Sequence, residues 1–346
     1  MAQQAWQAET VLDQLLIESR AFSVEFGHLL ANHLPMVLVI LARLGATDRR
    51  LEQYFETYRD VNRLRPPPPS VGAIARTDWT AHLGDRAREA DYRAFFAAEL
   101  RKLGAADLER TYLPTLLPGV CASALHGLMR LAYAHLSDSA DEVAVALAYW
   151  ATTFLPLAPS TGATAVTYDP AQVLTRLSGH RELLAVEPEC DLLWHAMRDV
   201  GQHSSFAPVV DWLAIDDTTP RRCAVASLAL FTATGDFCAL HALTGTHWLR
   251  MLPAETADRT VLLRYFWQGI AAVYPKMGMP PVASAEEMAA LRVAICPPWP
   301  EIAAAAVASD DEHDPSLVFS AMREEAAYGD PAYRRVAARR VGLLPA

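Results

Sequence analysis

Lysine is almost missing from this sequence: of its 30 basic residues only Lys102 and Lys276 are lysines. Chemistry that needs a Schiff base or a modified lysine therefore has two candidates. Positive charge is short as well, because 40 acidic residues leave a formal net charge of −10 at pH 7. Such a chain has no field to attract phosphate backbones, which excludes nucleic acid as an expected partner and disfavours anionic membrane surfaces. Long apolar runs are absent too. The strongest, residues 34–41, is far shorter than the ~20 residues that span a bilayer, so no membrane segment is expected. The opening MAQQAWQAETVLDQ has neither a basic stretch nor an apolar one of the secretory kind, and a cytoplasmic location is the expectation. Cys121, Cys190, Cys223, Cys238 and Cys296 are odd in number and never spaced C-x-x-C. That excludes a disulfide frame and a cysteine zinc site and predicts reduced thiols, mostly buried. Also lacking are G-x-G-x-x-G, a Walker loop, H-E-x-x-H and G-x-S-x-G, so nucleotide-fold, zincin and α/β-hydrolase chemistry have no support.

What the sequence does have is apolar content, 52% hydrophobic residues against 20% charged, enough to bury a sizeable core. The apolar positions recur at helical spacing almost throughout, and no alternating run bounded by turn residues interrupts them. The fold class predicted is all-α, one large multi-helix unit over residues 1–346. A break at 155–167, which carries Pro156, Pro159 and Gly162, marks a candidate boundary between two lobes. The pattern predicts helices that include 8–19, 23–44, 120–135, 237–251 and 315–328. Ser284 followed by Glu287 has capping-box spacing, and Asp314-Pro315 and Asp330-Pro331 read as helix starts.

Three places carry histidine in apolar surroundings, and no helix has two histidines at i, i+4. In Asn32-His33-Leu34-Pro35-Met36 a proline is expected to kink a buried helix beside His33; the bland alternative is a core histidine bonded to a carbonyl. His126 and Arg130 stand one helical turn apart, so they share a face that could hold an anion or a substrate oxygen. A snorkelling arginine explains the pair equally. His241 and His247, six residues apart, point to nearly opposite sides of one helix, with His241 the expected inward residue and His247 the outward one. Thr244 and Gly245 leave room near His241 for a ligand or for a closely packed helix. Any site must be assembled from several helices.

Together, N-H-L-P-M (residues 32–36), Y-L-P-x-L-L-P-G-V-x-x-S-A-L-H-G-L-M-R (112–130) and H-A-L-T-G-T-H-W-L-R (241–250) resemble the questin oxidase-like family, over most of the chain. The resemblance implies an oxygenase with O2 as co-substrate, acting on a polycyclic aromatic ketone by Baeyer-Villiger-like insertion or ring cleavage. It also implies non-haem iron, Fe(II), held by histidines and a carboxylated lysine. Carried over by motif, His33, His126 and His241 are the metal ligands expected, with His126 and Arg130 as catalytic residues, Arg130 steadying an oxyanion. Two departures stand out. Arg130 occupies a position where the resemblance implies another histidine. The implied lysine falls near Phe266, Trp267 and Gln268, ten residues before Lys276.

Neutral imidazoles suit Fe(II). Trp150, Trp194, Trp212, Trp248 and Trp267 are candidates for the walls of an aromatic pocket, and Glu25, Asp236 and Glu142 for partners of the imidazole N–H groups. The departures keep two other readings open: a metal-free helical ligand-binding or accessory protein, and a metal-free monooxygenase with NADPH as its reductant. Substrate identity, a need for NADPH and oligomeric state are not legible in the sequence.

Overall fold

The computed structural model describes residues 10–255 and 257–345; the expected helix start at Ala8 lies outside the described residues. Sixteen α-helices, six short 3₁₀ helices and one two-stranded antiparallel hairpin, Glu25–Phe26 with Leu30–Ala31, make up the regular structure among them. The fold is all-α, as the periodicity predicts. No helix among the described residues is long and apolar enough to cross a membrane.

Buried apolar side chains fall into one large cluster, with members from Leu16 to Ala338, and a smaller one around Leu34, Leu38, Tyr54 and Phe55. The centre of the larger is a layer in which Phe237–Met251 packs between His126–Leu136 and His313–Tyr328, while Leu34–Arg43 touches both of those outer helices. Four segments distant in sequence thereby meet. The 155–167 segment runs along this core, where Leu155 pairs with Val120 and Thr167 with Leu213. The Asp211 carboxylate accepts from the Thr161 amide at 2.8 Å. All five cysteines are free, and Cys121, Cys223 and Cys238 are buried.

The Ser284–Glu287 capping box forms as its spacing predicts. Phe237–Met251 also keeps its expected bounds. Elsewhere local backbone chemistry overrides apolar periodicity. The expected 23–44 helix is instead the hairpin followed by the shorter helix Leu34–Arg43. Gly27 and Leu29 take φ of +55° and +68°, which turns the chain back on itself. Pro35 therefore makes no kink: it sits in the first turn, where a missing N–H costs nothing. Asn32 secures the start, its side-chain oxygen accepting from the Leu34 amide at 3.1 Å and its amide group donating to the Ser23 carbonyl at 2.8 Å.

The expected helix over 120–135 begins only at His126. Ser123, Ala124 and Leu125 before it have φ of +44°, +57° and +72°, three consecutive non-glycine residues in left-handed backbone. Each costs about 1–2 kcal/mol, and packing holds them there: methyls of Leu125 lie 3.6 and 3.8 Å from where Cβ atoms would stand on Gly245 and Gly269. Larger residues are shut out, because a Cβ on Gly245 would meet the Phe266 ring at 2.6 Å and one on Gly269 the Cys121 sulfur at 2.8 Å. The small residue at 245 thus serves helix packing. Ala124→Gly is expected to stabilise the protein by about 0.5–1 kcal/mol, since glycine enters this backbone freely and loses only part of the gain to unfolded-state entropy. A urea midpoint that falls in this variant would show that the turn carries no strain.

The Pro315–Tyr328 helix in fact starts two residues earlier, at His313, and that shift matters for the site. Asp314, instead of capping, pairs with Arg340 at 2.6 Å.

Candidate metal centre

His33 stands immediately before the first turn of Leu34–Arg43, His126 and His313 are the first residues of their helices, and His241 lies within Phe237–Met251. Their rings close a circuit: His33 to His126 is 4.6 Å between centroids, His126 to His241 5.5 Å, His241 to His313 6.0 Å, and His313 to His33 5.2 Å. The three histidines expected from sequence do come together, and a fourth, His313, joins them.

Every Nδ1 of the four faces an oxygen. His33 Nδ1 lies 2.9 Å from the Ala31 carbonyl, His241 Nδ1 2.9 Å from the Phe237 carbonyl, and His126 Nδ1 is hydrogen-bonded to the Ser123 carbonyl. Nδ1 of His313 lies 2.9 Å from the Asp311 carboxylate. Carbonyls only accept, so Nδ1 of His33, His126 and His241 carries the proton, and in the neutral ring each Nε2 is left with a lone pair. The Asp311 carboxyl is held at about 2, first by that hydrogen bond, and so is an acceptor as well.

Burial, reinforced by the neighbouring imidazoles, pushes His33 well below the usual histidine range and His241 to about 3. Burial likewise takes His126 to about 4. These rings are neutral at pH 7, and the positive ends of helix dipoles beside His33 and His126 favour the same state.

The consequence is two lone pairs aimed at each other: His33 Nε2 and His126 Nε2 are 2.8 Å apart and buried, with both Nδ1 protons already committed. His313 Nε2 is buried without any hydrogen-bond partner. Nitrogens bonded to one metal at about 2.0–2.1 Å and at right angles would stand about 3 Å apart, with ring centroids about 4.6 Å apart, rising to about 5.3 Å at a tetrahedral angle. His33–His126 and His33–His313 fall within that range, while His126–His241 at 5.5 Å and His241–His313 at 6.0 Å lie beyond it. A carboxylate stands alongside, Glu312 Oε1 being 3.8 Å from His33 Nδ1. The donor atoms of Asp311, Glu312 and His313 lie within 4.8 Å of one another.

These groups line a cavity of about 160 Å³ whose other walls include Phe26, Leu29, Trp194 and Phe237. Of the five tryptophans considered from sequence, Trp194 lines it, and Trp248 lies 6.4 Å from His126. The partners expected for the imidazoles are engaged elsewhere. Glu25 accepts from Ser123 and Arg86, Asp236 caps its helix, and Glu142 pairs with Arg130. Backbone carbonyls take their place.

Arg130, expected to face the same space as His126, does not line the cavity. Its Nε and Nη2 both donate to Glu142 Oε2, at 3.0 and 2.6 Å. Arg130 thus turns toward the Ala140–Thr152 helix and away from the imidazoles. His247, expected to point outward, is buried against Phe319 and bonded to the Ser320 hydroxyl at 3.1 Å. Opposite sides of this helix are both interior, since it is packed between two others.

At the position implied for a lysine, Gln268 donates to the Ala158 carbonyl at 2.7 Å while Phe266 and Trp267 pack in the core. Lys276 pairs with Asp191, a residue of the cavity wall, without reaching the wall itself. His313 escaped the sequence reading because it stands in the acidic run Asp310 to Asp314, which looks like solvated helix start. Its one local signal is a carboxylate two residues earlier, Asp311, placed to fix the ring.

Fold and site define an all-helical protein with a buried centre of four imidazoles beside a carboxylate, a donor set suited to a divalent first-row metal. The chain belongs to the questin oxidase-like family, whose model matches residues 30–320 and so takes in all four histidines. The family's name sets the coarse functional class, an oxidoreductase of the oxidase or oxygenase kind. A comparison with curated proteins finds no match to the chain.

Proposed function

We propose that this chain is a non-haem Fe(II) oxygenase, with O2 as co-substrate, that inserts oxygen into or opens a ring of an aromatic ketone. The observation that carries the reading is the pair of buried Nε2 lone pairs of His33 and His126, 2.8 Å apart with no proton to share. A cation between them converts a repulsion into two bonds. His33, His126, His241 and His313 would hold the metal, and Asp311 fixes the His313 ring as carboxylates commonly do behind metal ligands. Bound there, Fe(II) supplies an electron source for O2 and a Lewis acid for a ketone oxygen.

The chain's own contribution is placement and exclusion. Three backbone carbonyls hold His33, His126 and His241 as neutral Nε2 donors, and Asp311 fixes the ring of His313. Phe26, Leu29, Trp194 and Phe237 give the cavity apolar walls suited to an aromatic ring. Glu312, half-exposed at the cavity edge, is placed to take a proton from a bound phenol or hydrate without entering the imidazole circuit. Arg130 is assigned to Glu142 and to helix packing, not to an oxyanion.

Elemental analysis of untagged protein loaded anaerobically with Fe(II) tests the reading, followed by O2 uptake with aromatic ketones in the presence and absence of NADPH. About one iron per chain is expected, and O2 uptake that depends on it. Protein that takes up no iron yet turns over with NADPH would establish metal-free oxygenation instead, and protein that does neither would be a binding or accessory protein.

A further inference from the structure

Beside the histidine chamber, and like it open to solvent, lies a larger cavity of about 640 Å³. Phe26 and Leu29 of the hairpin line both spaces, so the two adjoin at these side chains. The sizes are informative. A buried void of about 150 Å³ encloses one benzene ring, so the chamber of about 160 Å³ takes a single ring. The outer cavity falls in the range of about 300–1,000 Å³ usual for small-molecule sites. A ligand of two or three rings that reaches the chamber must leave most of its body outside the hairpin.

The walls of the outer cavity indicate what that body is. One side is the run Pro66 to Pro69, whose rings fix the backbone and offer flat apolar faces at little entropic cost. The opposite side is the hairpin. The carboxylates lining the cavity are already paired: Glu25 of the hairpin with Arg86, at 2.7 Å, and Glu89 of the helix Glu89–Leu103 with Arg93, at 2.5 Å. Arg86 is fixed further by lying 4.3 Å over the Trp194 ring. Arg63 and Arg65, both exposed at the rim, make no side-chain ion pair or hydrogen bond among the described residues. On a chain of formal net charge −10 this is an uncompensated positive mouth to the cavity.

We propose that the outer cavity binds the body of an aromatic carboxylate too large for the chamber. Arg63 and Arg65 hold its anionic group, and its far ring is directed past Phe26 and Leu29 toward the histidines. Only that last direction rests on the oxygenase reading; the anion site itself does not. Arginine suits the role because its planar fork meets a carboxylate with two parallel hydrogen bonds.

The test uses the metal-free full-length chain and two matched fluorescent probes, 9-anthracenecarboxylate and neutral 9-anthracenemethanol, titrated at low ionic strength. The carboxylate is expected to bind at least tenfold more tightly. That preference should vanish in the Arg63→Gln/Arg65→Gln double variant, with binding of the alcohol and thermal unfolding unchanged. Equal affinity for the two probes, or a preference that survives the double variant, would overturn the proposal. Because neither probe needs metal or turnover, failure here leaves the iron proposal standing, and failure to bind iron leaves this one standing.

Discussion

His126→Leu is expected to lower Fe(II) affinity by more than about 100-fold, the upper end of what even an outer partner of a metal ligand costs when removed. The metal-free variant should be as stable as the parent or slightly more so. Leucine fills a similar volume, and its introduction removes one of two lone pairs facing each other at 2.8 Å in a buried place. Metal should then separate the two proteins. At a free metal concentration 100 times Kd, binding adds about 2.7 kcal/mol to the stability of the parent. For a chain of this size that is a rise of about 4 °C in Tm. The variant should show none. His247→Ala on the same helix supplies the opposite signature. It leaves the Ser320 hydroxyl without its partner and opens a void in the core, so unfolding should fall by about 2–3 kcal/mol while iron stoichiometry stays at the parental value. Full metal binding by His126→Leu would remove the imidazole circuit from consideration as a metal centre.

The second large effect concerns stability. Glu142 is buried between two guanidinium groups, Arg130 on one oxygen and Arg20 on the other at 2.8 Å. Glu142→Gln leaves two arginines facing an amide, and breaking a buried pair from one side costs about 3–5 kcal/mol. Iron binding should persist, because neither Glu142 nor Arg130 lines the chamber.

The pH dependence has a definite sign. Burial alone would raise the Glu142 carboxyl, yet Arg130 and Arg20 outweigh it and hold the group below the ordinary glutamate value of 4.5. A carboxyl with a depressed folded value contributes its full stabilisation above the unfolded value. It loses that contribution as pH falls from about 4.5 through the lower folded value. Acid unfolding should therefore begin at higher pH in Glu142→Gln, whose overall stability is lower, while the part of the parent's acid slope due to this group disappears. An unchanged acid slope would show that the pair does not titrate with folding.

Much of this architecture is written in local patterns. The Ser284 box, the Phe237–Met251 helix and the bounds of Glu89–Leu103 follow from capping chemistry and spacing that act within one or two turns. The helix Ala105–Leu116 went unread because Pro114 breaks its pattern, although so near the end the proline disturbs one turn only. The hairpin and the left-handed turn before His126 were illegible for another reason. Leu29, Ser123, Ala124 and Leu125 are residues that seldom adopt positive φ, and at Leu125 contacts with two distant helices accompany it.

The sequence alone determined the all-α class, the scarcity of lysine, the acidic balance and the three motifs that carry His33, His126 and His241. Each is a property of composition or of residues close along the chain. Tertiary structure decided that His313 is the fourth imidazole, that Arg130 serves Glu142 and that His247 is interior. It also decided that a one-ring chamber opens beside a larger cavity. Which way a long or ambivalent side chain turns depends on partners supplied by helices tens to hundreds of residues away, and helical periodicity records how strongly a face is buried, not what buries it.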